Sequence, residues 1–342
     1  MNNSDKVVVI TGGGTGGHLS IARSFIDEFY TRDYKIIFIG STKGQDRAWF
    51  EDEPKLYKKY FFDTRGVVNQ NFFGKINSLF MIARAIVRSI FIFKKYKVQK
   101  IISVGGFSAA PASFGAIITN KDFYIHEQNS VMGKLNKITS KRAKEIFSSY
   151  LPTSKVKDYP INQEFFKYQR VRENIKTIIF LGGSQGASAI NDFAIQIASI
   201  LKEKNISIIH QCGKKDYEKL QIKYKKLNIE VDLFDFSTTI LQKMQKADFA
   251  VSRSGASTLW ELTALGIPTL FIPYPYAAAN HQYYNALFLK KQKLCYIVEQ
   301  DKLNKDIIID ILKTIDLKYL SENLIKTINK DGIKKIVNII IN

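Results

Sequence analysis

Cysteine is nearly absent from this 342-residue chain: only Cys212 and Cys295 occur. They stand far apart without the spacing of a metal site, so two inert thiols in a reducing compartment are expected. Acidic residues are also scarce. Lys and Arg number 51 against 31 Asp and Glu, a formal charge of +20. Such an excess suits an anionic partner, whether nucleic acid, an acidic membrane surface or a diphosphate substrate. Aromatic residues are plentiful, but no stacking motif accompanies the basic runs, which argues against nucleic acid. No D-x-D pair sits at an obvious strand end, so no obligatory metal and no cofactor are expected. Long uncharged apolar runs are missing too. The candidate stretch, residues 75–100, carries Arg84 and Arg88 where the middle of the hydrocarbon would lie. The opening "MNNSDK" passes straight into an apolar run, so no cleaved leader is expected.

What is present is a repeated pattern. "KVVVI" (6–10) reads as a buried strand followed by a helix over about 19–30, and "YKIIFIG" (34–40) as the next strand. "KIISVGG" (100–106) and "FYIHEQN" (123–129) continue the series. The series restarts at "TIIFLGGSQGASAINDF" (177–193) and runs through "ISIIHQCG" (206–213), "FAVSRSG" (249–255) and "PTLFIPYP" (268–275). Strands alternating with helices imply parallel sheets with right-handed crossovers. The fold class read from this is α/β: two Rossmann-like, doubly wound domains facing a cleft, with ligands beyond the carboxyl ends of the strands. The segment 150–166, with two prolines and mixed polarity, is the linker candidate. The expected domains are 1–158 and 159–342, with the last helix able to pack back on the first.

Residues 75–100 hold seven basic residues and no acidic one. Ile76, Leu79, Phe80, Ala83, Ile86, Val87 and Ile90 recur at helical spacing, with Asn77, Arg84, Arg88 and Lys95 on another face. Two readings stand open: a core-facing helix with a solvated side, or a surface helix that meets anionic lipid. "GKLNKITSKRAK" (133–144) adds five basic residues.

Two glycine-rich stretches carry the chemistry. In "VVVITGGGTGGHLS" (7–20), Gly12, Gly14 and Gly17 fit G-x-G-x-x-G. The dinucleotide reading also expects an acidic residue at the end of the second strand, where "FIGSTKGQ" offers none. An NADP oxidoreductase is therefore the weaker alternative. In "SRSGASTLWELTALGIP" (252–268), a helix beginning near Ser254 would offer unpaired N–H groups and its dipole to a phosphate, with Glu261 further along the same helix for a ribose. His210 reads as structural.

These motifs, in order "TGGGTGGH", "GGFSAAPASFGA", "HEQNSVMGKLNK", "FLGGSQGASAIND", "SRSGASTLWELTALGIPTLFIPYP" and "ANHQYYNA", resemble the MurG family of N-acetylglucosaminyltransferases from about residue 7 to 290. The resemblance implies the GT-B architecture, with an acceptor- and membrane-binding N-terminal domain and a UDP-sugar-binding C-terminal one. It also implies inverting transfer of GlcNAc from UDP-GlcNAc to the MurNAc 4-hydroxyl of undecaprenyl-diphospho-MurNAc-pentapeptide, converting lipid I to lipid II. The expected location is the cytoplasmic face of the inner membrane, held peripherally by anionic lipid. A glycosyltransferase for another glycolipid is the alternative within the fold.

Residue roles follow where the residues match. Thr15, Gly16 and Gly17 correspond to a loop touching the donor. Asn129 resembles a contact to the GlcNAc, Ser184 a ligand of the UDP phosphate, and Ser237 a backbone contact near the uracil. Ala256, Ser257, Thr258, Leu259, Trp260 and Glu261 match the nucleotide-binding helix, with Glu261 on the ribose. Gln282 resembles a sugar-hydroxyl contact, while His281 stands where a second glutamine is common. Asn162 occupies the place of a customary arginine near the UDP and supplies no cation. Arg170, Arg172 and Arg253 are the candidates to replace it. His18 is the candidate general base, with Glu127 its rival; each also has a purely structural reading.

Overall fold

The computed structural model describes residues 6–64, 72–183, 186–237 and 239–342, with backbone only for 72–76. It divides into two units: Met1–Asn162 with Lys330–Asn342, and Gln163–Asn329. The break thus falls four residues beyond the expected 158/159, and the final helix counts with the first unit.

The first unit runs β1 (Val7–Thr11), α1 (Gly16–Tyr30), β2 (Lys35–Ser41), α2 (Asp46–Phe50), β3 (Lys58–Phe62), α3 (Phe72–Lys95), β4 (Lys100–Ser103), α4 (Ala110–Ile118), β5 (Asp122–His126), α5 (Lys134–Thr139) and β6 (Glu145–Phe147). Its strands pair in parallel in the order β3-β2-β1-β4-β5-β6. The second unit comprises α6 (Glu164–Lys167), β7 (Thr177–Leu181), α7 (Ser188–Glu203), β8 (Ser207–Gln211), α8 (Tyr217–Lys226), β9 (Asp232–Phe234), α9 (Ile240–Met244), β10 (Phe249–Ser252), α10 (Ala256–Leu265), β11 (Thr269–Phe271), α11 (His281–Lys291), β12 (Tyr296–Ile297), α12 (Lys305–Thr314) and α13 (Leu317–Thr327). Its sheet has the order β12-β11-β10-β7-β8-β9. In both sheets the chain leaves the first strand toward one edge and later returns to its other side. That reversal creates a switch point at the carboxyl end of β1 and another at that of β7.

Helices on both faces explain why the central strands are apolar throughout: β1 is buried at every position, and so are Ile178–Leu181 of β7. The closing helix α14 (Gly332–Ile341) buries Ile333, Ile336, Val337 and Ile340. It is fastened within the first unit, where Arg32 Nη1 donates to Asn338 Oδ1 at 2.6 Å and Lys100 Nζ to the Ile340 carbonyl at 2.7 Å.

Helix α3 departs from either simple reading of its apolar spacing. Its buried stripe is Ser78, Ala85, Ser89, Ile92 and Phe93, whereas Leu79, Phe80, Val87 and Phe91 are exposed beside Arg84 and Arg88. Small residues face inward because α3 lies close to α4, where Gly115 leaves room for Phe93 and Ser89. Of the residues expected on one face, Ile86 and Ile90 are half-buried and Ala83 is exposed. Ile76 lies outside the described side chains. No described helix is long and apolar enough to cross a membrane.

Candidate active site

In the first unit the constellation sits where β1 ends and α1 begins. Gly12, Gly13 and Gly14 have φ of 126°, 158° and 87°, and Gly14 in particular adopts a conformation open to glycine but strained for other residues. A side chain on Gly12 would strike the main chain of Gly105, and one on Gly14 the ring of Phe107. These glycines do not open a phosphate cradle at their own amides. The Gly13 N–H donates to the Gly105 carbonyl at 3.1 Å, and the Gly14 N–H to Asp46 Oδ1 at 2.5 Å. The turn is pinned inward, and α1 starts at Gly16, three residues earlier than expected, with Thr15 as its N-cap.

Asp46 is the residue sequence reasoning missed. Its carboxylate is fully buried and also accepts from the Ser41 N–H at 2.9 Å, joining the glycine turn to the end of β2. Desolvation raises its pKa, opposed by those backbone donors. The signal was present: an acidic residue does follow the second strand, but five residues past its end and aimed at backbone rather than at a ribose.

His18 stands in the first turn of α1, half-buried. Its Nδ1 lies 3.0 Å from Thr15 Oγ1 and its Nε2 2.9 Å from the amide nitrogen of Gln128. Glu127, the other base candidate, precedes Gln128 in the chain and is buried. Its Oε1 accepts from the Asn129 N–H at 2.9 Å. Its Oε2 accepts from the Gly133 N–H at 2.9 Å and from Asn136 Nδ2 at 2.8 Å. A carboxylate with three such donors organises the 127–136 loop. Asn129 is half-buried on that loop, and Gly16 and Gly17 are half-buried at the start of α1. Asn162 is exposed at the end of the first unit's main segment.

In the second unit the constellation is the start of α10. Gly255 is the N-cap, extended (φ −61°, ψ 138°) and without a side-chain capping bond. The first amides of such a helix have no acceptor in a preceding turn. Ser254 Oγ, immediately upstream, is buried with no hydrogen bond among the described residues. Gly266 ends the helix in the left-handed conformation at φ 68°. Leu259 and Trp260 turn their side chains into the core, so only their main chain can meet a ligand. Ala256 is buried, and Ser257 and Thr258 are half-buried. Glu261, on the partly exposed side of the same helix, has its carboxyl pushed up to about 7 by desolvation.

Gln282 Oε1 accepts from the Tyr274 N–H at 2.9 Å, which leaves its amide nitrogen to meet a ligand, and His281 Nδ1 lies 2.9 Å from the Ala278 carbonyl. Ser237 is half-buried and its hydroxyl accepts from the Thr239 N–H at 3.1 Å. Ser184 lies outside the described residues.

None of the three arginines considered as replacements at Asn162 is a ready ligand for a diphosphate. Arg170 pairs with Asp248 at 2.7 Å. Arg172 is fully buried on main-chain carbonyls, its pKa lowered to about 9 by desolvation. Arg253 donates to the Ile272 and Pro273 carbonyls and to Gln300. His210 is structural as expected, buried between Asn191 and Tyr224. Among the described residues no three His, Cys, Asp or Glu side chains gather as a metal site would require.

Comparison with known proteins bears on this arrangement. Residues 8–148 match the glycosyltransferase family 28 N-terminal domain, and residues 177–338 the C-terminal domain of that family. The chain is 48% identical over 332 residues to a protein of Campylobacter fetus, covering 97% of this chain and 98% of the relative. It is 47% identical over 325 residues to one of Campylobacter jejuni, covering 95% and 94%. Both relatives are named UDP-N-acetylglucosamine–N-acetylmuramyl-(pentapeptide) pyrophosphoryl-undecaprenol N-acetylglucosamine transferase. The crystal structure of Acinetobacter baumannii MurG superposes with a TM-score of 0.79 at 25% identity, over 98% of this chain and 99% of that one.

Proposed function

This chain belongs to glycosyltransferase family 28, and we propose that it transfers N-acetylglucosamine from UDP-N-acetylglucosamine to undecaprenyl-diphospho-MurNAc-pentapeptide. The observation that carries this is the near-half identity, over nearly the whole chain, to transferases so named. The second unit takes the donor nucleotide. The start of α10 meets its diphosphate through main-chain amides and the Ser254 hydroxyl, and Glu261 accepts from the ribose hydroxyls. The first unit presents the acceptor sugar at the loop holding His18.

In the reaction the MurNAc 4-oxygen bonds to the anomeric carbon as the bond to the UDP oxygen breaks, inverting that centre. UDP departs with the electron pair, and the hydroxyl proton passes to His18. Glu127 serves by fixing the loop that carries Gln128 and Asn129. The charge on the leaving diphosphate is met by helix dipole and hydroxyls, so no metal is required. The test is turnover of UDP-GlcNAc with a lipid I analogue, compared with UDP-Glc and UDP-GalNAc and repeated with a chelator. Strong preference for UDP-GlcNAc and indifference to the chelator are expected; a lasting loss on chelation would overturn the metal-free scheme.

The exposed face of α3 supports peripheral attachment to an acidic membrane. Phe80 and Phe91 are 70% and 68% exposed, interleaved with Arg84 and Arg88. On α5, Ile138 is exposed beside Lys134 and Lys137. Apolar rings enter the interface while guanidinium groups meet headgroups. In vesicle sedimentation the protein is expected to bind phosphatidylglycerol-containing vesicles and to release with added salt. Each basic residue contributes about 1 kcal/mol near such a surface, so Arg84→Ala with Arg88→Ala should weaken binding about thirtyfold. Equal binding to neutral vesicles would refute the assignment.

A further inference from the structure

We infer that Gln128 is the positioning residue for His18. Its amide oxygen accepts the His18 Nε2–H, which makes Nδ1, the nitrogen that meets the Thr15 hydroxyl, the atom that receives the acceptor proton. This rests on the reading of His18 as the general base.

The ring meets Gln128 through one nitrogen and Thr15 through the other. Gln128 is only 7% exposed, and one end of its amide lies 2.9 Å from His18 Nε2. The other end, Oε1, is buried without a hydrogen bond among the described residues. The opposite ring nitrogen, Nδ1, meets the hydroxyl of exposed Thr15 at 3.0 Å. Gly105 lies against the ring edge, where a side chain would come within 3.3 Å of Cδ2 and Nε2, so glycine leaves the room in which the ring reaches Gln128. Gln128 is itself held because Glu127, the preceding residue, accepts the three donors that fix the loop.

The two ends of a carboxamide have the same shape, and chemistry decides which one faces the ring. A histidine that takes a proton ends its step with hydrogen on both nitrogens. With the amide nitrogen inward, two buried donors would then oppose one another. With the oxygen inward, Nε2–H has an acceptor in both protonation states, and Nδ1 is the atom that cycles. A buried aspartate plays this part in serine hydrolases; here a neutral amide orients the ring without adding a charge. Nearby titratable groups leave that role to Gln128. His126, on β5, is buried and held down to about 3 by desolvation and secondarily by His18, so it stays neutral. The Glu127 carboxylate accepts from Asn129, Gly133 and Asn136.

The test is nitrogen-15 NMR of the full chain labelled at its four histidines, with the His18 signals identified by their loss in His18→Ala. Neutral His18 is expected as the Nε2–H tautomer. Gln128→Leu should give mixed tautomers and lower kcat about tenfold or more, with KM for both substrates nearly unchanged. Gln128→Glu should restore the Nε2–H tautomer and move the acid limb of the kcat profile upward by about one pH unit, since a carboxylate stabilises the imidazolium. An Nδ1–H tautomer in the wild type, or a Gln128→Leu variant unchanged in tautomer and kcat, would overturn the inference. A Gln128-dependent Nε2–H tautomer in a chain whose His18→Ala variant keeps full turnover would uphold the grip and remove the base role instead.

Discussion

Replacing His18 with alanine is expected to lower kcat by about 10²–10⁴-fold while leaving KM for UDP-GlcNAc nearly unchanged. The effect is large because the attacking hydroxyl must lose its proton as the new bond forms. Imidazole also titrates nearest the working pH of any side chain. Steady-state kinetics with a soluble lipid I analogue decide the matter, and a loss of less than about tenfold would leave His18 a loop residue only. The companion variant Glu127→Gln should behave differently. An amide there sets an N–H₂ against the Asn129, Gly133 or Asn136 donors, so thermal stability should fall along with activity. Were Glu127→Gln to keep its Tm and lose kcat alone, the base would have to be reassigned to Glu127.

The second large effect concerns Glu261, whose buried carboxyl sits at about 7 rather than 4.5. A carboxylate accepting from ribose hydroxyls makes charged hydrogen bonds of about 1.5–3 kcal/mol. Glu261→Gln should therefore weaken UDP-GlcNAc binding roughly ten- to a hundredfold, seen in KM and calorimetry more than in kcat. In the wild type, donor affinity should rise as pH increases through about 7, because the ionised form is the full acceptor; the glutamine variant should lose that dependence.

The same shift has the opposite sign for stability. Below pH 4.5 the carboxyl is protonated in both folded and unfolded chains and costs nothing. Between 4.5 and about 7 the unfolded chain ionises first and stability is lost; above 7 the full cost, about 3 kcal/mol, is present. Glu261→Gln should thus melt higher than the wild type at pH 8 while binding donor more weakly. Unchanged donor affinity across pH 6–8 in both proteins would refute the ribose contact.

The four central strands of each sheet are legible in the sequence because burial on both faces demands continuous apolar runs such as "KVVVI" and "TIIFL". All four strands that the pattern did not reveal, β3, β6, β9 and β12, are sheet edges. β6, β9 and β12 have only two or three residues, and "KKYFF" or "DLF" carries a polar residue where one side meets solvent. The start of α10 was legible for a related reason. Small residues, an apolar helix and Gly266 follow one another within a single local segment, so no distant partner is needed to specify them.

By itself, then, the sequence determined the two parallel sheets, the start of α10 and the kinship to a family, since each depends on neighbours along the chain. Tertiary structure alone decided which polar groups face which. Asp46 holds the glycine turn across 32 residues of chain, Gln128 reaches His18 across 110, and small residues in α3 turn its large apolar ones outward. A side chain's role at such places depends on donors and volumes brought near it only when the sheet assembles, and no local pattern encodes them.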